Sequence, residues 1–234
     1  MRGPAFTVGE VFAFAWKRIR DRLVASAVLG AISYGFPLAI GGLGRLIPNH
    51  GEWSLALAIW AGALLLPALM LTSIVGLAQT RIALMIHDRE PFRLSPVLAS
   101  YRLLVTFSLG RLASGTLMLV GFALCIVPGI VVAVRMALVD YLIVDGRLRP
   151  IRAVKRSNAL TAGSRWTIFL FGLALLALSA PADVLFFTPW ALTRAMSSAL
   201  SAVASVFHMV GFAFIYRRPL SREKPWAAPA TPRI

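Results

Sequence analysis

Four ionisable residues stand inside stretches that are otherwise apolar: Arg135, Asp140, Asp183 and His208. A lone guanidinium near the middle of a membrane span costs about 2.5–3.5 kcal/mol on insertion scales, so Arg135 needs a partner. At 1.5 Å per helical residue, Arg135 lies roughly 9 Å beyond Gly129, and Asp183 falls at a comparable depth in a later apolar run. The sequence therefore predicts an Arg135–Asp183 contact. Asp140 is the competing partner, although five residues along a helix turn it roughly 140° away from Arg135. Two chemistries are open to this set. One is a structural clamp between spans; the other is a path for a substrate or for protons, with Asp140 as a relay. Asp140 near mid-membrane must be protonated or hydrogen-bonded across helices, and His208 serves either a helix-packing hydrogen bond or a ligand.

Other site chemistries lack their residues. Cys125 is the single cysteine and sits in an apolar run, so neither disulfide nor thiolate-metal spacing applies. His50 and His87 are far apart, without the spacing of metal ligands, and no metal or cofactor site is expected. There is no nucleophile elbow, phosphate loop or carboxylate pair, so the chain is expected not to be an enzyme.

The elements that must position these residues are membrane helices. Hydrophobic residues make up 59% of the 234, charged ones 14%, and mean hydropathy is +0.79. An ordinary globular domain is about half apolar and a quarter charged, so the excess apolar surface requires lipid as its solvent. The net charge is +15. On a soluble protein that would suggest nucleic acid, but here the basic residues form short blocks between long apolar runs. Anionic headgroups are their expected neighbours, with no nucleic acid.

In chain order, Thr7-Val8-Gly9-Glu10 has capping-box spacing and starts a helix over 7–22. Phe12, Trp16, Ile19 and Leu23 share one face among basic residues, which places this helix in the headgroup plane. The predicted spans are about 23–43, 53–80, 103–127, 130–144, 166–187 and 189–216. In the first, Ala27, Ala31, Gly35 and Ala39 recur at every fourth residue and invite close helix packing. Pro67 and Pro181 are expected to bend the second and fifth spans. Arg81 to Pro91 reads as a charged loop, followed by a weak surface helix starting at Ser95-Pro96. The apolar stretch from Val105 to Val144 would be roughly 60 Å long as one helix, twice the hydrocarbon thickness, so it must fold back. Pro128-Gly129 is its strongest breaker. Pro150 opens a third surface helix with Gly163 as its C-terminal cap. Residues 217–234 are polar and Pro-rich, and are expected to be a disordered basic tail on a single transmembrane domain, 1–216.

Basic residues divide in a way that fits six spans. The segments 2–22, 81–111, 147–165 and 217–233 carry 21 of the 24. With those segments inside, both termini are cytoplasmic and the membrane is the plasma (inner) membrane. No cleaved signal peptide is read at the start. Three units then emerge, 7–80, 92–144 and 150–216, each a surface helix followed by a hairpin, and a pseudo-repeat is a hypothesis.

The run IVPGIVVAVRMALVDYLIVDG followed by AVKRSNALTAGSRWTIF, with the opening FTVGEVFAFAWKRIRDRL, resembles the membrane-domain family attached to some bacterial glycerophosphodiester phosphodiesterases and its uncharacterised inner-membrane relatives. The matching positions are Pro128, Gly129, Arg135, Asp145, Ser157, Leu160, Gly163 and Trp166. Asp140 departs from the pattern, and no phosphodiesterase domain follows, so the resemblance implies a membrane role without the enzymatic activity. The leading expectation is a non-enzymatic integral membrane protein that acts as a scaffold or interacts with lipid or a membrane-protein partner. The alternative is a small transporter or permease component using Arg135, Asp140 and Asp183.

Overall fold

The computed structural model describes residues 6–44, 55–186 and 191–222, excluding the side chains of 34–66, 183–191, 194–195 and 219–222. Among the described residues every regular element is helical: α1 (Val8–Asp21), α2 (Leu23–Gly44), α3 (Leu55–Asp88), α4 (Leu94–Ala99), a 3-10 turn (Ser100–Leu103), α5 (Leu104–Leu124), α6 (Ile126–Met136), α7 (Val139–Val144), α8 (Pro150–Thr161), α9 (Arg165–Phe186) and α10 (Ala191–Arg222). Five segments are long and apolar enough to cross a bilayer, Pro67–Asp88, Leu94–Leu124, Ile126–Val144, Arg165–Ala182 and Met196–Arg218. The 22-residue α2 is itself roughly 33 Å long. The outer surface suits lipid, with Leu119, Leu124 and Ile126 on the α5–α6 hairpin all more than two-thirds exposed. The protein is a polytopic helical membrane protein.

The capping box forms as expected: Thr7 Oγ1 accepts from the Glu10 amide, and the Glu10 carboxylate accepts from the Thr7 amide. The docked face of α1 is Val11 and Ala15, both fully buried, while Trp16 is exposed and stacks on Phe207 of α10. α1 thus lies across the α9–α10 pair, half in contact with protein.

Several boundaries differ from the sequence reading. Residues 81–88 are not a loop: α3 continues to Asp88, because Ile82, Leu84, Met85 and Ile86 are buried against neighbouring helices and extend the apolar face past Arg81. α4 begins at Leu94 with Arg93 as N-cap and no side-chain cap, so Ser95 lies inside it. Ala27 and Ala31 are exposed, and α2 meets α10 through Gly30, where an added Cβ would sit 3.3 Å from Val206. The other two residues of that small-residue series, Gly35 and Ala39, have side-chain positions outside the described residues. α8 does open with Pro150, but Ala162 is its C-cap and among the described residues no glycine has a positive φ, so Gly163 belongs to an ordinary turn. α8 is also more than a surface helix, since Ala153 and Ser157 are fully buried against the bundle. α10 extends to Arg222, so the first six residues of the expected tail are helical; 223–234 lie outside the described residues.

The fold-back occurs, three residues earlier than expected. Cys125 is the break, extended at φ −176° and ψ 160°. Pro128 is instead the third residue of α6, where amides have no intrahelical partner and proline is tolerated. Gly129 serves close approach. A Cβ there would lie 2.4 Å from the Phe122 ring, and one on Gly121 would lie 3.0 Å from the Gly129 Cα. The two arms therefore pack backbone to backbone beside the turn.

The charged segments meet at one end of the bundle. Arg22 donates to the Arg89 carbonyl at 2.6 Å, Arg218 pairs with Glu10 at 3.9 Å, and Arg217 reaches both Asp88 and Asp145. Phe14 of α1 packs on His87 and Phe214 in the same region. Segments far apart in sequence thus share one end.

Candidate intramembrane site

A groove of about 740 Å³ lies between the α5–α6 hairpin and the α9–α10 pair. Its wall is mainly apolar, with Met118, Val134 and Phe169 typical of it, but Arg111, Asp140, Tyr141 and His208 also reach it.

Arg111 rises from α5. Its Nη1 donates to the Thr72 carbonyl of α3 at 3.1 Å, and its guanidinium lies 5.6 Å from the centre of the Phe107 ring. Its course over α3 depends on Gly76, where a Cβ would fall 2.3 Å from Nη1. Arg111 Nε approaches Asp140 Oδ2 at 3.7 Å, an ion pair too long to be a good hydrogen bond. Asp140 makes no hydrogen bond among the described residues, and about a third of its side chain remains accessible. A carboxylate and a guanidinium are therefore held together with donor and acceptor capacity to spare, inside a segment where unpaired charge is expensive.

The neighbouring groups are fixed. Tyr141 donates to the Met209 carbonyl at 2.8 Å and stacks on Tyr216, joining α7 to α10. His208, exposed at the groove, packs edge-on against Phe212 at 4.8 Å. Among the described residues no three His, Cys, Asp or Glu side chains converge as metal ligands.

The structure disposes the expected residues differently from the sequence reading. Asp140 takes Arg111 rather than Arg135. The side chain of Asp183 lies outside the described residues, and the Arg135–Asp183 contact with it. Arg135 has no carboxylate within ion-pair distance among the described residues, and its Nε is buried without a hydrogen-bond partner. Its backbone matters more: the helix breaks between α6 and α7 at Ala137-Leu138, and Ser157 of α8 repairs the break. Ser157 Oγ donates to the Arg135 carbonyl at 2.6 Å and accepts from the Leu138 amide at 3.3 Å. Asp145 closes the far end by accepting from Tyr216 and Arg217, both at 2.8 Å. Leu160 is buried on the inner face of α8, whereas Trp166 is 70% exposed at the start of α9.

Arg111 is the residue that sequence reasoning misses, because in the sequence it closes the basic segment 81–111. The hairpin register would have revealed it. Arg111 lies fourteen residues before Cys125 and Asp140 fifteen after, so a turn at Cys125 sets them opposite each other. A turn at Pro128-Gly129 shifts the register and separates them.

No protein family, curated protein or solved structure matches this chain.

Proposed function

We propose that this membrane protein is a non-enzymatic, lipid-interacting domain whose groove takes one amphiphilic molecule, with the polar group at Arg111–Asp140 and the apolar portion along α5, α6 and α9. The carrying observation is the Arg111–Asp140 pair, 3.7 Å apart and short of hydrogen bonds, on the wall of a largely apolar space of about 740 Å³. An apolar chain suits that wall, and a polar head would supply the hydrogen bonds the pair lacks. The segregation of basic residues supports a plasma (inner) membrane location with cytoplasmic termini and anionic headgroups around the charged end. The resemblance to the membrane domain of glycerophosphodiester phosphodiesterases agrees with a lipid-related role beside membrane-protein partners.

Transport is the second reading, favoured by one observation: His208 faces the same groove as Arg111 and Asp140, which gives a basic, an acidic and an imidazole side chain along one space. Native mass spectrometry of the full chain extracted with its lipids tests the first reading. A bound amphiphile should be retained by the wild type and lost from both Arg111→Gln and Asp140→Asn. Equal retention by all three would overturn it. Solute or proton flux in sealed proteoliposomes, abolished by Asp140→Asn, would replace it with transport.

A further inference from the structure

A second cavity, of about 590 Å³, opens at the charged end of the bundle between α3, the α4–3-10 segment and the turn joining α7 to α8. Arg81, Arg102 and Arg147 line it, each from a different segment of the chain. We infer that this pocket binds a phosphate group, the three guanidiniums forming its anion-recognising wall.

The charge balance within the pocket carries the inference. Arg81 is partly offset by Glu90, 3.7 Å away. Asp145 borders the pocket, but its oxygens already accept from Tyr216 and Arg217. Among the described residues no carboxylate pairs with Arg102 or Arg147. Ser100 spends its hydroxyl proton on the Pro96 carbonyl at 2.8 Å, so the donors facing the pocket are guanidinium N–H groups. Such planar, permanently charged forks match phosphate oxygens better than any other side chain.

Arg147 adds a backbone observation. Its φ is +49°, a region that glycine or asparagine occupies at little cost and arginine seldom does. The turn thus holds a guanidinium at the pocket rim in a conformation that the residue type disfavours. Leu103 and Val144 supply apolar wall, one preceding α5 and the other ending α7. A phosphate seated among the arginines therefore lies where the apolar spans begin, as the phosphate of an anionic phospholipid would; a free phosphate offers the same chemistry. This pocket is separate from the Arg111–Asp140 groove, and the inference holds whether or not that groove takes a ligand.

The test uses the full chain in nanodiscs. In phosphatidylcholine discs doped with phosphatidylglycerol, native mass spectrometry reads the phosphatidylglycerol retained. In pure phosphatidylcholine discs, inorganic phosphate is titrated against the thermal midpoint, with chloride as control. The double variant Arg102→Gln/Arg147→Asn removes two charges, and asparagine keeps the left-handed backbone; Arg147→Asn alone serves if the double variant does not fold. Lys17→Gln/Arg20→Gln on exposed positions of α1 controls for general surface charge. The expected result is about a tenfold loss of retained lipid, or of phosphate affinity, in the pocket variant and little loss in the control. Lipid retention without a phosphate response identifies a headgroup site; a phosphate response alone identifies a soluble anion. No binding by the wild type, or equal loss in pocket and control variants, would overturn the site.

Discussion

Arg217 of α10 reaches back to Asp145, its Nη1 donating to Oδ2 at 2.8 Å and its Nη2 to Oδ1 at 3.1 Å, while the same guanidinium also engages Asp88. Asp88 ends α3, Asp145 follows α7 and Arg217 stands near the end of α10, so α3, α7 and α10 are fastened at one point. His87 hydrogen-bonds Asp88 at 2.8 Å and Tyr216 hydrogen-bonds Asp145, which completes the cluster.

Removing the cation should therefore weaken the whole bundle. Arg217→Gln leaves two carboxylates facing each other, and because the three side chains are about three-quarters buried we expect a loss of about 2 kcal/mol. Thermal unfolding in detergent should show a lowered midpoint. Adding Asp88→Asn and Asp145→Asn to that variant should recover part of the loss, and no recovery would mean that the cost lies in packing rather than charge.

Ser157 should matter beyond its size. Ser157→Ala removes a donor to the Arg135 carbonyl and an acceptor for the Leu138 amide at the only seam between α6 and α7, which we expect to cost about 2 kcal/mol. Ser179→Ala removes a hydroxyl whose solvent-exposed bond lies within its own helix and should change stability little. Matched unfolding curves for the two variants would refute the repair role.

Gly76 offers a way to disturb the groove without touching its charges. Gly76→Ala puts a methyl group where Arg111 Nη1 now lies, forcing the guanidinium off the Thr72 carbonyl and away from Asp140. We expect amphiphile retention to fall as it does in Arg111→Gln, with a smaller stability loss than Arg217→Gln. Retention at the wild-type level would show that the position of Arg111 is immaterial to binding.

The lone Cys125 reports topology without any substitution. It is exposed at the α5–α6 turn, opposite in chain direction to the basic segments. A membrane-impermeant maleimide should label it in intact cells. Labelling that requires permeabilised cells would invert the proposed orientation.

The sequence by itself determined the solvent, the helical class and the need for a fold-back, because these follow from additive properties: apolar content, run length and the spacing of charge. It also located the α1 capping box, since that motif is closed within four residues. The groove was less legible. Its charged pair joins residues 29 apart, and the pairing depends on a turn placed to the residue; the proline that reads as the breaker is tolerated in a first helical turn, and the break falls at Cys125, beside the close packing of Gly121 on Gly129. Likewise α3 runs past Arg81 because its neighbours bury Ile82 to Ile86, and Arg217 joined the fold because Asp88 and Asp145 converge on it. Tertiary structure decided these points, since each depends on which helices lie side by side, and a period or a composition counted along one chain contains no distance between two of its segments.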